Sequence, residues 1–281
     1  MRITEIFAKI YHKLSPAARI ALIVVLFILF AGVFAGWLSP YSYNLPSGKA
    51  LQPPGAQHWL GTDDMGIDLW AQICHGARLS VIIGLSTAFL AGLGGSILGM
   101  VSGYFGGITD RIVMRLTDLM IALPDLPMMI LLGVFFGPGI YNIILVLALF
   151  SWTGPARIVR SRILSIKQEK YITAAVSFGA GFFHLVKHHF LPGVLPLIAI
   201  SIIRLTGRAI VAEAGLSFLG LGDPTSKSWG LILNHAVHFK GIYFTEFWKW
   251  WLTVPLAAIT LLVAAIAILA RDCEKLVNAK L

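Results

Sequence analysis

Ionisable side chains stand inside two apolar stretches of the sequence, where their chemistry is ion pairing or recognition of a charged solute. Asp125 lies in one stretch, and Arg204 and Arg208 lie four residues apart in another. Within a bilayer, such residues cost at least about 2.5 to 3.5 kcal/mol each, so each needs a partner or a water-filled path. Residues four apart share a helix face. We therefore expect Arg204, Arg208 and Asp125 to line a translocation path that favours carboxylate-bearing or otherwise anionic cargo over a bare divalent metal ion.

The same charges also admit structural interpretations. In one alternative, Asp125 pairs with either arginine as a structural bridge. Glu213, at the outer end of its apolar stretch, is a candidate for the path because it would gate the outer mouth or bind lysines of the adjacent loop. Structural pairing is an equally good interpretation of Glu213. Asp118 and Arg115 are three residues apart, and this spacing predicts a local pair.

Catalytic and metal-binding motifs are missing from the sequence. It has no G-x-x-x-x-G-K-[ST] phosphate loop, no H-E-x-x-H helix, no paired C-x-x-C and no G-x-S-x-G elbow. His235 and His238 lack a third ligand, so a solvated pair is a better interpretation than a metal site. The topology below places Cys74 and Cys273 on opposite sides of the membrane, which predicts no disulfide. We expect no enzymatic activity, no metal and no cofactor in this chain.

Composition indicates which elements position these residues. The chain has 281 residues, of which 57% are hydrophobic and 12% are charged, against about 25% charged in ordinary soluble domains. A bilayer span needs about 20 apolar residues. The sequence therefore predicts an all-α, polytopic membrane protein with six transmembrane helices. The apolar stretches cover residues 20–38, 79–101, 112–136, 140–155, 193–221 and 250–270. Pro124 and Pro127 predict a kink in the third span, because proline removes helix hydrogen bonds.

The distribution of basic residues orients these spans. With the N-terminus inside, fifteen of the 22 Lys and Arg residues fall in inner segments and five in outer ones, as the positive-inside rule requires. We expect both termini on the cytoplasmic side of the membrane, with lipid rather than nucleic acid as the partner of the basic surface.

The expected organisation follows from this orientation. It comprises a cytoplasmic N-terminus (1–19), a first span (20–38), an extracytoplasmic segment (39–78), a core of five spans (79–270) and a cytoplasmic tail (271–281). Within the core, residues 157–192 form a cytoplasmic loop and residues 222–249 an outer loop. The cytoplasmic loop is too long for a simple connection between helices. It therefore predicts a docking site for another protein.

The outer segment contains its own helix signal. Gly61–Asp64 forms a turn with an N-cap for a short interfacial helix. Ile67, Trp70, Ile73 and Ala77 would share one face of that helix, which is typical of packing against a neighbouring surface. We therefore favour a structural role for this helix over a direct contact with substrate.

The cytoplasmic loop carries a family pattern. From Lys167 it contains KQEKYITAAVSFGAGFFHLVKHHFLPGVLP, which resembles the E-A-A-x-x-x-G-x(9)-I-x-L-P loop of permease subunits in bacterial ATP-binding cassette importers. Thr173 stands where the acidic residue is usual and His189 where isoleucine is usual. The matching positions of the pattern are Thr173, Ala174, Ala175, Gly179, Leu191 and Pro192. Gly179 permits the left-handed turn that would end a short helix.

Three further strings point to one branch of that family. The dipeptide, oligopeptide and nickel branch is resembled by three segments, which are HWLGTDDMGIDLWAQICHGARLS (58–80), MRLTDLMIALP (114–124) and EAGLSFLGLGDPTSKSWG (213–230). Ile67 replaces an arginine common in that branch, and the tail from Arg271 departs from its usual G-D-x-L-R-D pattern. The resemblance covers most of the chain from His58 to about Trp251.

The resemblance implies the fold of a type I importer permease and a set of partners. These are a related second permease subunit, two ATP-binding subunits that bind ATP and Mg, and an extracytoplasmic solute-binding protein. It also implies alternating access, in which the loop around Thr173 to Gly179 passes motion from the ATP-binding subunits to the spans.

The cargo implied is a di- or oligopeptide, with nickel, a nickel chelate or a small oligosaccharide as alternatives. Two alternatives from other classes are a membrane-embedded enzyme and an anchor that docks a partner without transport. For the loop itself, the alternative is an amphipathic helix resting on lipid headgroups.

Overall fold

The computed structural model describes residues 14–278, so the predictions for residues 1–13 and 279–281 lie outside the described residues. In the described part, the ordered elements are helices, and an isolated β-bridge joins Thr62 and Asp68. The helices are α1 (Pro16–Val33), α2 (Ala35–Leu38), α3 (Leu69–Phe105), α4 (Gly107–Ala122), α5 (Asp125–Phe136), α6 (Ile140–Ser151), α7 (Thr153–Lys167), α8 (Lys170–Ser177), α9 (Phe182–Leu185), a π-helical turn (Val186–Phe190), α10 (Leu191–Phe218), α11 (Trp229–His238), α12 (Trp248–Trp251) and α13 (Thr253–Asn278).

Six spans are possible in this arrangement. Within residues 14–278, the segments long and apolar enough to cross a membrane singly are Pro16–Val33, Leu69–Phe105, Phe182–Phe218 and Trp248–Val277. The pairs α4 with α5 and α6 with α7 each qualify together, which brings the number up to six when each bent pair counts as one span. The prediction of an all-α polytopic chain is confirmed.

The first span differs from its predicted bounds of 20–38. It begins at Pro16, because Ser15 caps the helix: the Ser15 hydroxyl accepts a hydrogen bond from the Ala18 amide at 3.2 Å. Helix α1 ends at Val33, and the last predicted turn forms the separate helix α2 after a break at Phe34.

The third span is broken at the predicted prolines. Helix α4 ends at Ala122, α5 begins at Asp125, and the two axes differ by 92°. Pro124 sets the break, because proline disfavours helical backbone in the residue before it and lacks the amide that a helix needs. Pro127 lies in the first turn of α5, where it is tolerated.

The fourth span extends well beyond its predicted end at Pro155. Helices α6 and α7 bend by only 41° around Trp152, and α7 runs on to Lys167. Pro155 does not end the helix because it stands in the first turn of α7. The cytoplasmic loop predicted from residue 157 therefore starts about ten residues later.

The outer segment contains no separate short helix at the predicted place. Helix α3 begins at Leu69, and the Asp68 carboxylate accepts the Ala71 amide at 2.7 Å as its N-cap. The helix then continues unbroken to Phe105. At 1.5 Å per residue it is about 55 Å long, which exceeds the apolar thickness of a bilayer.

Helix α3 is the central element of the packing. It lies mainly against α7 and α10, and its glycines permit the close approach. A Cβ at Gly95 would lie 2.2 Å from the Trp152 carbonyl oxygen, and one at Gly99 would lie 2.2 Å from that of Ala156. Small residues at such contacts let helix backbones approach within a membrane.

The predicted tail from residue 271 is helical through Asn278 as part of α13. Asp272 is tied to the start of the first span, because the Ser15 amide donates a hydrogen bond to Asp272 Oδ2 at 2.9 Å. The two ends of the described chain therefore meet on the same side of the bundle.

Candidate functional site

The inner segment, residues 168–192, projects from the ends of α7 and α10. Its short helix α8 buries one side chain, Ile172, which is 3% exposed and packs with Ile163, Leu185 and Phe190. Two aromatic side chains beyond α8 are open: Phe178, directly after the helix, is 92% exposed, and Phe183 of α9 is 85% exposed. A segment that is anchored by buried side chains and presents free aromatic rings is suited to binding a partner protein.

Helix α8 ends in a Schellman motif, as the position of Gly179 predicted. The Ala180 amide donates to the Ala175 carbonyl at 3.0 Å, and the Gly179 amide donates to the Val176 carbonyl at 2.9 Å. Gly179 has φ +87°, which only glycine adopts without strain. The turn fixes Phe178 at the exposed tip of the segment.

The predicted docking residues lie along this segment. Thr173, Ala174 and Gly179 are exposed, and Ala175 is half-buried. Leu191 and Pro192 form the exposed first turn of α10. An open cleft of about 410 Å³ separates the end of α8 from α9, and its lining comprises Ala175, Phe178, Gly179, Ala180, Gly181 and His184. The small side chains leave room there for an inserted side chain of a partner.

The charged side chains of Arg204, Arg208 and Asp125 do not form a cluster. Arg204 forms an ion pair with Glu274 of α13. Arg208 and Asp125 are both exposed on the surface of the chain, and neither forms an ion pair with a residue in the range 14–278. The alternative in which Asp125 bridges to an arginine is therefore not formed. The reason is that Arg204 faces α13, whereas Asp125 starts the short helix after the break at Pro124.

Glu213 does not lie on an exposed route. Its side chain is fully buried, and its carboxylate accepts hydrogen bonds from Ser217 at 2.7 Å and from Ser80 of α3 at 3.1 Å. No lysine in the described part of the chain bonds to it. Its position in the structure corrects the expectation of a mouth residue: Glu213 joins α10 to α3 where α11 packs against both.

Asp118 pairs with Arg157 of α7 rather than with Arg115. The local pair was the wrong prediction because the inner half of α7 lies beside α4 and presents its arginines to that helix. Arg160, one turn later on α7, holds Asp110 with two hydrogen bonds, of which the Nη2 to Oδ2 bond is 2.6 Å.

The outer buckle, residues 47–68, contains polar residues whose role the sequence did not indicate. The amides of Met65 and Ile67 donate to Asp63 Oδ1, both at 2.9 Å, and Gln72 Nε2 donates to Asp63 Oδ2 at 2.7 Å. His58 Nδ1 lies 2.8 Å from Asp68 Oδ2, with both side chains buried. The signal was available in the string His58 to Ser80, where acidic residues recur inside an apolar pattern.

Tryptophans attach the rest of the outer surface to the start of α3. Trp229 Nε1 donates to the Ile73 carbonyl at 3.0 Å, and Trp250 Nε1 donates to the Thr62 carbonyl at 3.4 Å. Both indole rings belong to one buried cluster with Leu69. The outer loop and the outer buckle are therefore one packed surface.

His235 and His238 of the outer loop have different surroundings. His238 Nδ1 lies 2.8 Å from the Asn234 carbonyl oxygen. Partial burial lowers the His235 pKa below its usual value of 6.5, and the positive charge of Lys227 adds a smaller lowering. Within the described residues, no three His, Cys, Asp or Glu side chains are placed to hold a metal ion.

Comparison with known proteins agrees with this architecture. The family model for the binding-protein-dependent transport system inner membrane component matches residues 95–277, which include the inner segment and both arginines of α10. The chain belongs to this family. Residues 13–54 also match the N-terminal transmembrane domain of oligopeptide transport permease C.

Curated relatives support the same assignment. The dipeptide transport system permease protein DppC of Bacillus subtilis is 37% identical, over 84% of this chain and 76% of the relative. The oligopeptide transport system permease protein OppC of the same organism is 35% identical, over 88% and 80%. The glutathione transport system permease protein GsiD of Escherichia coli O157:H7 is 35% identical, over 82% and 77%.

Membership in the family, together with the apolar helices, establishes the broad role of the chain. It is a multi-pass inner-membrane component of an ATP-binding cassette importer, with the type I permease fold. The relatives are named as permease proteins of transport systems.

Proposed function

We propose that this chain is one of two permease subunits in an importer that moves di- or oligopeptides into the cell. The inner segment carries this proposal, because its anchored helix and exposed aromatic tip form a surface that one chain leaves open. The names of the relatives support peptide as the cargo, since they are dipeptide, oligopeptide and glutathione permeases.

The proposed partner of the inner segment is an ATP-binding subunit. Phe178 would enter a cleft of that subunit, and the Schellman turn at Gly179 would hold it in place. Burial of Ile172 against α7 and the π-helical turn would pass motion to α10. ATP and Mg would be bound by two such subunits, which would supply the hydrolysis.

The proposed path runs along the exposed face of α10 that carries Arg208. A cation on a membrane-spanning face needs water or a counter-charge, and a second, related permease subunit facing α10 would enclose such a path. Arg208 would then attract the carboxylate of a peptide. Arg204 contributes less in this scheme because Glu274 already neutralises it.

The orientation is proposed from the basic residues. The inner segment would face the cytoplasm, with both termini on the same side, and the outer buckle would face a solute-binding protein that delivers the peptide. Rocking of the two permease subunits around the path would give alternating access.

Uptake by the reconstituted importer tests this proposal. The complex is assembled in proteoliposomes from this chain, its second permease subunit, the ATP-binding subunits and the solute-binding protein. ATP-dependent uptake of a labelled dipeptide, with ATPase activity stimulated by the loaded binding protein, is expected. Uptake of nickel but not of peptide would overturn the cargo, and a complex that assembles without any transport would indicate an anchor.

A matched pair of glycine variants tests the route of coupling. Gly179→Pro removes the left-handed turn and should abolish the stimulation of ATPase activity. Gly36→Ala is the control, because Gly36 lies in α2, outside the inner segment, has no positive φ, and an added Cβ there would contact nothing within 4 Å. Equal stimulation in both variants would contradict a role for the inner segment.

A further inference from the structure

An open groove of about 540 Å³ lies on the surface of α4. Its charged lining residues are Asp110, Arg111, Arg115, Asp118 and Arg160, and the rest of its lining is apolar. The groove shares no lining residue with the cleft of the inner segment and is not used in the coupling route proposed above. Its position at the inner end of α3, where α4 begins, places it on the cytoplasmic side in the proposed orientation.

The arginines around this groove differ in their partners. Asp110 holds Arg160 through two hydrogen bonds, and Asp118 holds Arg157. Arg111 and Arg115 are exposed, and neither has an acidic partner in the part of the chain that the structure describes. Because they are four residues apart, they stand on the same face of α4.

An apolar row runs beside the two free arginines. Ile108 is 71% exposed and Ile112 is 56% exposed, and the row continues through Leu116 and Leu119 toward the break at Pro124. Cations at one edge of a groove and free aliphatic side chains along it form an amphipathic surface. The ligand that fits both parts carries a negative head and hydrocarbon chains.

We propose that this groove binds an anionic phospholipid of the inner leaflet. The guanidinium groups of Arg111 and Arg115 donate hydrogen bonds to the headgroup phosphate, because arginine matches phosphate oxygens in a forked geometry. The acyl chains lie along Ile108, Ile112 and Leu116. Charge complementarity favours lipid, since Arg111 and Arg115 remain without an internal acid whereas Arg157 and Arg160 each have one.

Native mass spectrometry of the full-length chain in detergent tests this site. The probes are phosphatidylglycerol and phosphatidylcholine with identical acyl chains. With two cations near the headgroup, phosphatidylglycerol should bind about tenfold more tightly. The double variant Arg111→Gln, Arg115→Gln should lose that preference. The control double variant Lys170→Gln, Lys187→Gln removes two exposed cations of the inner segment and should keep it.

Further measurements distinguish a lipid site from a site for free phosphate and from a contact with the second permease subunit. Inorganic phosphate at millimolar concentration should not displace phosphatidylglycerol, and displacement would show a site for the free anion instead. Equal affinity for the two lipids, or an unchanged preference in the arginine double variant, would overturn the proposal. Loss of bound phosphatidylglycerol when the second permease subunit is added would show that the groove is a subunit contact and would also overturn it.

Folding and function are controlled separately. The thermal unfolding midpoint of the arginine double variant should equal that of the original chain, because both side chains are exposed and unpaired. The binding measurement uses the isolated chain and needs no transport. The lipid site depends on the proposed function only for its inward orientation, so failure of peptide uptake leaves the lipid preference as a separate result.

Discussion

The outer buckle and the inner segment differ in how far their side chains are paired or buried within this chain. In the outer buckle, carboxylates and backbone amides satisfy one another: Asp63 accepts three hydrogen bonds, and His58 contacts Asp68 in a buried pair. In the inner segment, the largest side chains at the tip, Phe178 and Phe183, face outward. The first region is complete within one chain, whereas the second requires a partner to cover its apolar surface.

This difference separates the residues that stabilise the fold from the residues that bind a partner. Removing a polar group from the outer buckle leaves buried donors unpaired, so stability should fall. Removing an aromatic side chain from the tip of the inner segment leaves no cavity, so stability should stay constant while coupling falls. Substitutions in the two regions therefore separate folding from function.

The largest expected effect is on Asp63. Asp63→Ala leaves the amides of Met65 and Ile67 and the side-chain amide of Gln72 without an acceptor. At about 1 kcal/mol or more for each of the two buried donors and less for the part-buried Met65 amide, we expect a loss of about 2.5 kcal/mol and a fall in the thermal unfolding midpoint of about 5 °C or more in detergent. Asp64→Ala, at the exposed neighbouring position, is the control. Equal midpoints for the two variants would show that the outer buckle does not contribute to stability.

A smaller loss is expected at Glu213. Glu213→Ala leaves the Ser80 and Ser217 hydroxyls without their acceptor and should cost about 2 kcal/mol. Glu213→Gln retains an acceptor oxygen and should lose about half as much. Thermal unfolding measures both, with the exposed Glu246→Ala as control. A Gln variant less stable than the Ala variant would contradict a role as hydrogen-bond acceptor.

A still smaller effect is expected from pH at the outer surface. The folded-state pKa of His235 is lowered, chiefly by desolvation, from its usual 6.5. The stabilising contribution of the neutral ring is therefore present above pH 6.5 and is lost as the pH falls through the lowered folded-state pKa. The unfolding midpoint should drop slightly more between pH 7.5 and 5 in the original chain than in His235→Gln. Identical pH profiles would exclude this contribution.

The smallest effect on stability is expected at Phe178. Phe178→Ala should change the free energy of unfolding by less than about 0.5 kcal/mol, since the ring is 92% exposed. In the assembled importer, the same variant should lower peptide uptake about tenfold or more, as expected for an aromatic anchor of an interface. Phe27→Ala, at an exposed position of α1 that belongs to no proposed interface, should leave uptake close to normal. A large loss of stability in Phe178→Ala would erase the contrast between the two regions.

Sequence patterns were sufficient for the elements whose signals are local. Apolar stretches gave the spans, proline chemistry gave the break at Pro124, and the glycine spacing gave the turn at Gly179. Bounds were less accurate where a cap or a tolerated proline decided them. Ser15 moved the first span earlier, and Pro155 failed to end the fourth because it lies in a first turn.

Local sequence patterns could not predict the ion pairs between distant residues. Arg157 with Asp118 and Arg204 with Glu274 join residues far apart in sequence, and the first pair replaces the predicted local pair of Asp118 with Arg115. Burial of Glu213 depends on the approach of α3 to α10, which the spacing of residues within one helix does not encode. The path along Arg208 stays a prediction, because its second wall belongs to another chain.

Thiol labelling at the tip of the inner segment tests the central claim most directly. In a chain with Cys74 and Cys273 replaced by alanine, Phe178→Cys and Phe244→Cys are each treated with a membrane-impermeant maleimide, before and after assembly with the ATP-binding subunits. Both thiols should react in the isolated chain. After assembly, Phe178→Cys should become protected while Phe244→Cys stays reactive. Continued reactivity of Phe178→Cys in an assembled, ATP-hydrolysing complex would contradict docking through the inner segment.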